Sequence, residues 1–351
     1  MPLYMDIHIV EAEKLYAEDV VKAHMKDLSV QKKYGVIQRK YWVDTDNKRV
    51  FCLMEGPSKD ACHAVHEEAH GMTACNIVEV SEDEFNLMLT GKSKNDMAFT
   101  DSGELDSGFR TLLWVGFEDF NRNYSHYSSE LNQIISNHKG YLIPQPGTLT
   151  FGLFNSPVNA VICAVTISQL LKMIEDKVEY KISIITGQPL EKESQDLFSN
   201  SKTKLTWVKY LGASNHIYLD LRTKNLVMNN PDAPNISFNT MNILDGKDFS
   251  FLEKLFTILN EKLSNPKFGI EQLNKALGMS KATSYRAISS LTGMSPNRLI
   301  QEFKMQMALD LLKNNNHSIS EIADTVGYNS SSYFTHAFKN RYGILPTSYW
   351  K

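Results

Sequence analysis

Apolar and polar positions change their period along the chain, and the changes divide it. From residue 3 to 80, LYMDIHIV and VIQRKYWVD alternate with period two, RVFCLME is a short apolar strand and IVEV closes the set. Between them, Ala17 to Leu28 and Lys59 to His70 carry apolar residues at helical spacing, with Ser58 placed to cap the second helix and Gly71 to stop it. The order β-α-β-β-α-β predicts a ferredoxin-like fold, two helices packed on one antiparallel sheet.

Periodicity then stops. TGKSKNDMAFTDSGELDSG, Thr90 to Gly108, is polar and rich in Gly and Ser, and reads as a linker. A second α+β pattern follows: the strand FRTLLWVGF, a helix near Tyr127 to Asn137, the strand TLTFGLF, a helix from Pro157 to about Lys177, and the strand EYKISIIT. NNPDAPNISFN, Asn229 to Asn239, is a second breaker-rich connection. A helix from Phe249 to Leu263 leads into a wholly helical end. The expected division is residues 1–90 ferredoxin-like, 91–108 linker, 109–228 α+β, 229–264 linker and connecting helix, and 265–351 all-α.

Charge sharpens this picture. The chain carries a net charge of -3, but residues 264 to 351 alone hold +5, leaving -8 for the rest. The helical end is therefore where an anionic partner would be met. No apolar run approaches the roughly 20 residues of a membrane span, and MPLYMDIHIV is a poor signal peptide, so a cytoplasmic protein is expected. Cys52, Cys62, Cys75 and Cys163 lack metal-ring or redox spacing and read as small buried apolar residues.

In GIEQLNKALGMSKATSYRAISSLTGMSP an apolar helix stops at Leu277, Gly278 turns the chain, and Ser280 opens a second helix. That is helix-turn-helix logic. About fifty residues later SISEIADTVGYNSSSYFTHAFKNRYGILPTSYW repeats it, with Gly327 in the turn and Ser330 near the second helix start. PNRLIQEFKMQMALDLLKN joins the two units. Over about 85 residues this block resembles the DNA-binding domain of the AraC/XylS family of transcription regulators. The resemblance implies a seven-helix, double helix-turn-helix reader of double-stranded promoter DNA. Candidate reading residues are Ser280, Lys281, Thr283 and Arg286 from the first unit. From the second they are Asn329, Ser331, Ser332, Thr335, His336 and Lys339. Arg286 is the candidate for a bidentate guanine contact, and each residue could equally face phosphate or solvent. Asn274 stands where the family has a small residue at a helix crossing, and Ala287 and Ser289 where relatives carry lysines. Met279, Ile288, Leu299, Phe303, Leu309, Ile322, Val326, Phe334 and Phe338 are expected in the core.

The middle segment, with FNSP at 154–157, NAVICAV and a strand ending ITGQP, looks like a nucleotide cyclase homology domain. In active members two acidic residues hold metal ions. Here the second position falls on Thr148, and the first is served only by the offset Glu118 and Asp119. The resemblance therefore implies a degenerate domain that senses or dimerises, with no catalytic residue.

HEEAH, His66 to His70, matches the zinc-peptidase pattern H-E-x-x-H, but Gly71 ends the helix and no third ligand is supported in sequence. The first 80 residues instead resemble a small family of ferredoxin-like domains that includes a bacterial nickel-binding protein. Candidate ligands are His8, His24, His66 and His70. His8 lies on the same strand side as Asp6, and His66 and His70 lie on one helix face. Imidazoles suit nickel, zinc or copper. Metal binding, a different small ligand and a structural role all stay open from sequence. The expected whole is two α+β, ferredoxin-like domains that sense a metal or small effector, or form a homodimer, ahead of a DNA-binding domain. The competing reading from another class is a cyclase-like or metallohydrolase enzyme with an accessory helix-turn-helix block.

Overall fold

The computed structural model describes residues 1–89, 92–100, 102–118, 124–143, 149–173, 179–211, 215–313 and 316–349. The first α+β unit holds β1 (Leu3–Ile9), α1 (Ala17–Val30), β2 (Ile37–Asp44), β3 (Arg49–Glu55), α2 (Lys59–His70) and β4 (Asn76–Val80). Its strands are antiparallel in the order β4-β1-β3-β2, the ferredoxin-like arrangement. The Ser58 hydroxyl accepts from the Ala61 amide, and Gly71 ends α2 at φ 73°.

The expected linker at 91–108 is not one. After α3 (Glu82–Met88), strands β5 (Lys92–Lys94) and β6 (Met97–Phe99) form a hairpin, and β6 lies parallel to β2 at Tyr41 opposite Met97. Asp106 is buried and takes two 2.9 Å hydrogen bonds from the Arg110 guanidinium. The apolar triplet MAF is too short to show a period, yet it suffices for an added strand on an existing edge.

The second unit repeats the topology. Strands β7 (Arg110–Glu118), β8 (Tyr141–Ile143), β9 (Leu149–Phe154) and β10 (Glu179–Gly187) run in the order β10-β7-β9-β8, with α4 (Tyr124–Asn137) and α5 (Pro157–Met173) between them. Past β10 the chain continues through α6 (Ser199–Val208), β11 (His216–Asp220), α7 (Leu221–Met228) and β12 (Met241–Leu244). The last two strands join parallel to β10. Residues 229–264 are therefore not simply linker and helix, because β12 completes this sheet.

The two sheets bury each other's helix-free faces. Met5, Ile7, Trp42, Phe51 and Leu53 share one apolar cluster with Leu112, Trp114, Phe151, Leu153 and Ile185. The alternate residues Leu113, Val115, Ile182 and Ile184 pack instead with α4 and α5. Period-two alternation that is apolar on both faces is what such a double layer demands.

Seven helices follow among the described residues. They are α8 (Gly246–Lys262), α9 (Ile270–Leu277), α10 (Lys281–Thr292), α11 (Pro296–Lys313), α12 (Ile319–Thr325), α13 (Ser331–Tyr342) and α14 (Pro346–Tyr349). A capping box between Asp245 and Asp248 starts α8 three residues before its expected position. Phe303 of α11 closes the first unit's core, which is continuous with the inter-sheet cluster, while Leu309 and Leu312 belong to the core of the second. Of the nine residues expected inside, eight are fully buried and Met279 is partly buried against them.

Candidate metal centre and nucleic-acid interface

The helix-covered face of the first sheet carries two apolar clusters, one around Tyr41 and Val43, the other around Tyr4 and Met54. A buried polar group lies among the same elements. β1 aims Asp6 and His8 inward at i and i+2, α1 supplies Asp27, and α2 supplies His66 and His70 one turn apart. The charges alternate. His8 Nε2 lies 3.2 Å from Asp6 Oδ2, His66 Nε2 3.0 Å from the same oxygen, His66 Nδ1 3.1 Å from Asp27 Oδ1, and His70 Nε2 3.3 Å from that oxygen. Cys52, opposite Asp6 in the β1–β3 register, donates its amide to Asp6 Oδ1.

These groups titrate together. Burial alone would raise Asp6, but the His8 and His66 imidazoles beside it hold its carboxyl far below the ordinary carboxylate range. Asp27 is lowered in the same way against its burial, by hydrogen bonds from His66 and His70. Burial opposes the charge on His66, yet Asp6 and Asp27 outweigh it and lift the imidazole to about 10.

Ligand atoms from Asp6, His8, Cys52 and His66 lie within 4.8 Å of one another, as do those from Asp27, His66 and His70. His66 belongs to both sets. Although 3.0 Å from Asp6, its Nε2 is off hydrogen-bond alignment and is a buried nitrogen without a hydrogen-bond partner. A buried imidazole nitrogen that meets a carboxylate as an ion pair without a hydrogen bond, among carboxylate, imidazole and thiol donors, fits a borderline or soft transition-metal ion.

Of the four nominated histidines, the fold brings His8, His66 and His70 together. His24 stands apart: it lines the same cavity of about 180 Å³ but pairs with Asp96 Oδ2 at 3.1 Å. Asp96 comes from the β5–β6 turn, so the segment expected as linker supplies the partner of His24. The peptidase reading gains no support from the geometry. Glu67 is exposed, and Glu68 is taken by Lys33 and Tyr34. Cys52, expected only as a small buried apolar residue, gains its place once β1 and β3 are in register, and Asp27, 3% exposed, joins through the docking of α1.

In the helical block Gly278 and Gly327 hold the turns at φ 71° and 72°. The Ser280 hydroxyl accepts from the Thr283 amide and the Ser330 hydroxyl from the Tyr333 amide, so each second helix is capped. None of the ten nominated reading residues is buried; Ser331 and Thr335 are half-buried and the other eight exposed. Ser280 and Thr283 also share a 2.9 Å hydroxyl contact, which ties both to capping. Tyr285 on α10 and Tyr333 on α13, both more than half exposed, were missed; an aromatic on a helix's polar face is the signal that could have found them. Asn274 Oδ1 is buried without a hydrogen-bond partner where the small residue was expected. On the opposite side, Arg341 of α13 makes paired hydrogen bonds of 2.7–2.8 Å to Glu179 of β10 and to Glu302 of α11. The cyclase-type positions Asp119 and Thr148 lie outside the described residues, as does the side chain of Glu118.

Comparison with known proteins matches residues 273–351 to the family described as a helix-turn-helix domain and residues 4–80 to the family described as nickel responsive protein SCO4226-like. An uncharacterized HTH-type transcriptional regulator of Haemophilus influenzae is 38% identical over 101 residues, 28% of this chain and 34% of its own length. The chain spans about a third or less of the length of the first curated relatives it matches. SCO4226 of Streptomyces coelicolor A3(2) is 36% identical over 22% of this chain and 94% of its own, with a TM-score of 0.21. The catalytic core of a rhodopsin-guanylyl cyclase is 13% identical over 35% of this chain and 82% of its own, with a TM-score of 0.30. Likeness at that level assigns no chemistry to the middle domain. Among the described residues no helix is long and apolar enough to cross a membrane.

Proposed function

We propose that this chain, with an AraC-type helix-turn-helix domain behind a SCO4226-like domain, is a sequence-specific transcription regulator of the AraC/XylS type acting on double-stranded promoter DNA in the cytoplasm. The observation that carries the reading is the repeated unit: two capped helices, each after a glycine turn at positive φ, share the single helix α11 and present their nominated side chains to solvent. α10 and α13 would enter successive major grooves, with Arg286 on a guanine and Lys281 and Lys339 on phosphates. A shift assay on DNA upstream of the protein's own gene tests this. Arg286→Ala is expected to cost about 1–3 kcal/mol on the preferred site and relax specificity there. Lys281→Ala and Lys339→Ala should weaken all sequences alike and each lower the salt slope by about 1. Equal affinity for that DNA and an unrelated duplex would count against the assignment.

In the same reading the first domain is the sensor, and its ligand is nickel or a related transition-metal ion held by His8, His66 and His70 with Asp6, Cys52 and Asp27 at hand. The bound ion would supply a fixed positive charge among these donors. Because His66 is protonated at neutral pH, metal must displace its proton, and uptake is expected to rise with pH. Equilibrium dialysis with nickel, zinc and copper chlorides compares the wild type with a His8→Gln, His70→Gln double variant. Uptake by the wild type and its loss in the variant are expected; negligible uptake by both overturns the metal reading. We assign no turnover to the middle domain, where Thr148 stands at a position that active cyclases fill with a carboxylate.

A further inference from the structure

On the opposite face of the first sheet from the histidines, a cleft of about 540 Å³ opens between that sheet, the middle domain and the first turn of α8. It lies at the C-terminal ends of the parallel strands β10, β11 and β12, where Thr186, Asp220 and Leu244 reach it. Open sheets with parallel strands bind their ligands at that edge, and the volume is that of a small-molecule site.

The polar groups facing the cleft are of two kinds. Three of the four acids are already engaged, and the fourth, Glu193, is exposed. Asp220 accepts from the Thr186 amide at 3.2 Å and from the Thr223 hydroxyl, Asp245 caps α8, and Glu191 takes the Asn200 amide nitrogen at 3.0 Å. The cations are not. Arg222 stacks 3.8 Å from the Phe109 ring centroid and Lys204 sits 5.3 Å from that of Phe249. Neither forms an ion pair among the described residues. Two buried atoms also lack a partner: Arg49 Nε, a donor whose own guanidinium is steadied by Gln188, and Asn200 Oδ1, an acceptor.

We propose that this cleft binds a small hydroxylated organic anion, of the hydroxycarboxylate or sugar-phosphate class. One unpaired buried donor and one unpaired buried acceptor call for a ligand that accepts and donates at once. Its anionic group answers Arg222, Lys204 and Arg49 Nε, since guanidinium forks suit carboxylate and phosphate alike. A hydroxyl on the same molecule answers Asn200 Oδ1. The ligand would bridge Arg49 of the first domain, Arg222 of the second and Phe249 of α8, the helix that opens the DNA-binding block. It is a second effector site, independent of the histidine cluster.

Calorimetric titration of the full chain with sodium malate and, separately, with ribose 5-phosphate tests this at constant ionic strength. Saturable binding of at least one probe is expected, and which one identifies the anionic group. Arg222→Gln and Lys204→Gln each remove one charge-assisted contact, and each should weaken binding about tenfold. Unchanged circular dichroism shows that a variant is folded; should one unfold, the other carries the comparison. No saturable binding of either probe up to about 10 mM, beyond the weakest useful affinities, overturns the proposal. So does wild-type affinity retained in the folded variants.

Discussion

Gly327→Ala is expected to destabilise the second helix-turn-helix unit by about 3 kcal/mol, adding an overpacking cost of 1–3 kcal/mol to that of positive φ, and to abolish specific DNA binding. Gly278→Ala should cost only about 1 kcal/mol, the conformational term alone. Both glycines turn the chain at nearly the same positive φ, but their surroundings differ. A Cβ at Gly278 meets nothing within 4 Å. One at Gly327 would run into the backbone oxygen of Leu263, just after α8, and lie 3.1 Å from Lys304 Nζ. That ammonium donates to the Gly327 carbonyl at 2.7 Å, so the turn is fixed from two sides and cannot step away. Urea unfolding of both variants reads the difference, and equal costs would show that close approach plays no part.

His66→Ala should be the most damaging change in the first domain, costing about 3–5 kcal/mol at neutral pH, because it leaves two buried carboxylates without their shared cation. The pH dependence follows from the signs of the shifts. His66 is raised from 6.5 to about 10, so its contribution is complete below pH 6.5 and is lost as pH rises through about 10. Asp6 and Asp27 are lowered from 3.8, so theirs is present above that pH and fades as pH falls below it. The wild type is therefore expected to hold a plateau between about pH 4 and 6.5 and to lose the His66 contribution progressively from there to about pH 10, measured by thermal unfolding across pH. A variant as stable as the wild type at pH 7 would show that the buried charges do not depend on His66.

Much of this was legible in the sequence because local signals and tertiary demands agree. α2 runs from Lys59 to His70 as its Ser58 cap and Gly71 stop dictate, and both glycine turns of the helical end stand where they were read. What escaped was structure held by partners. β6 has three residues and is a strand because Tyr41 offers it a free edge. β12 follows a run of Pro and Asn that reads as breakers, and it exists because β11 lies beside it. The candidate metal centre was half visible: helical spacing gives His66 with His70, and strand spacing gives Asp6 with His8. Cys52 and Asp27 join them only through register and helix docking, and His24 leaves them because a turn 72 residues away supplies Asp96.

The meeting of the two sheets has a consequence for assembly. Ferredoxin-like units commonly need something to cover the bare side of the sheet, and here one chain supplies both halves, in the same strand order, as an internal pseudo-dimer. A second copy of the protein would find that seat taken. It would have to join through an outer strand, β4 or β5 of one sheet and β8 or β12 of the other, or through the helical layers. Any change in copy number would then leave the stacking of the first domain on the middle domain intact.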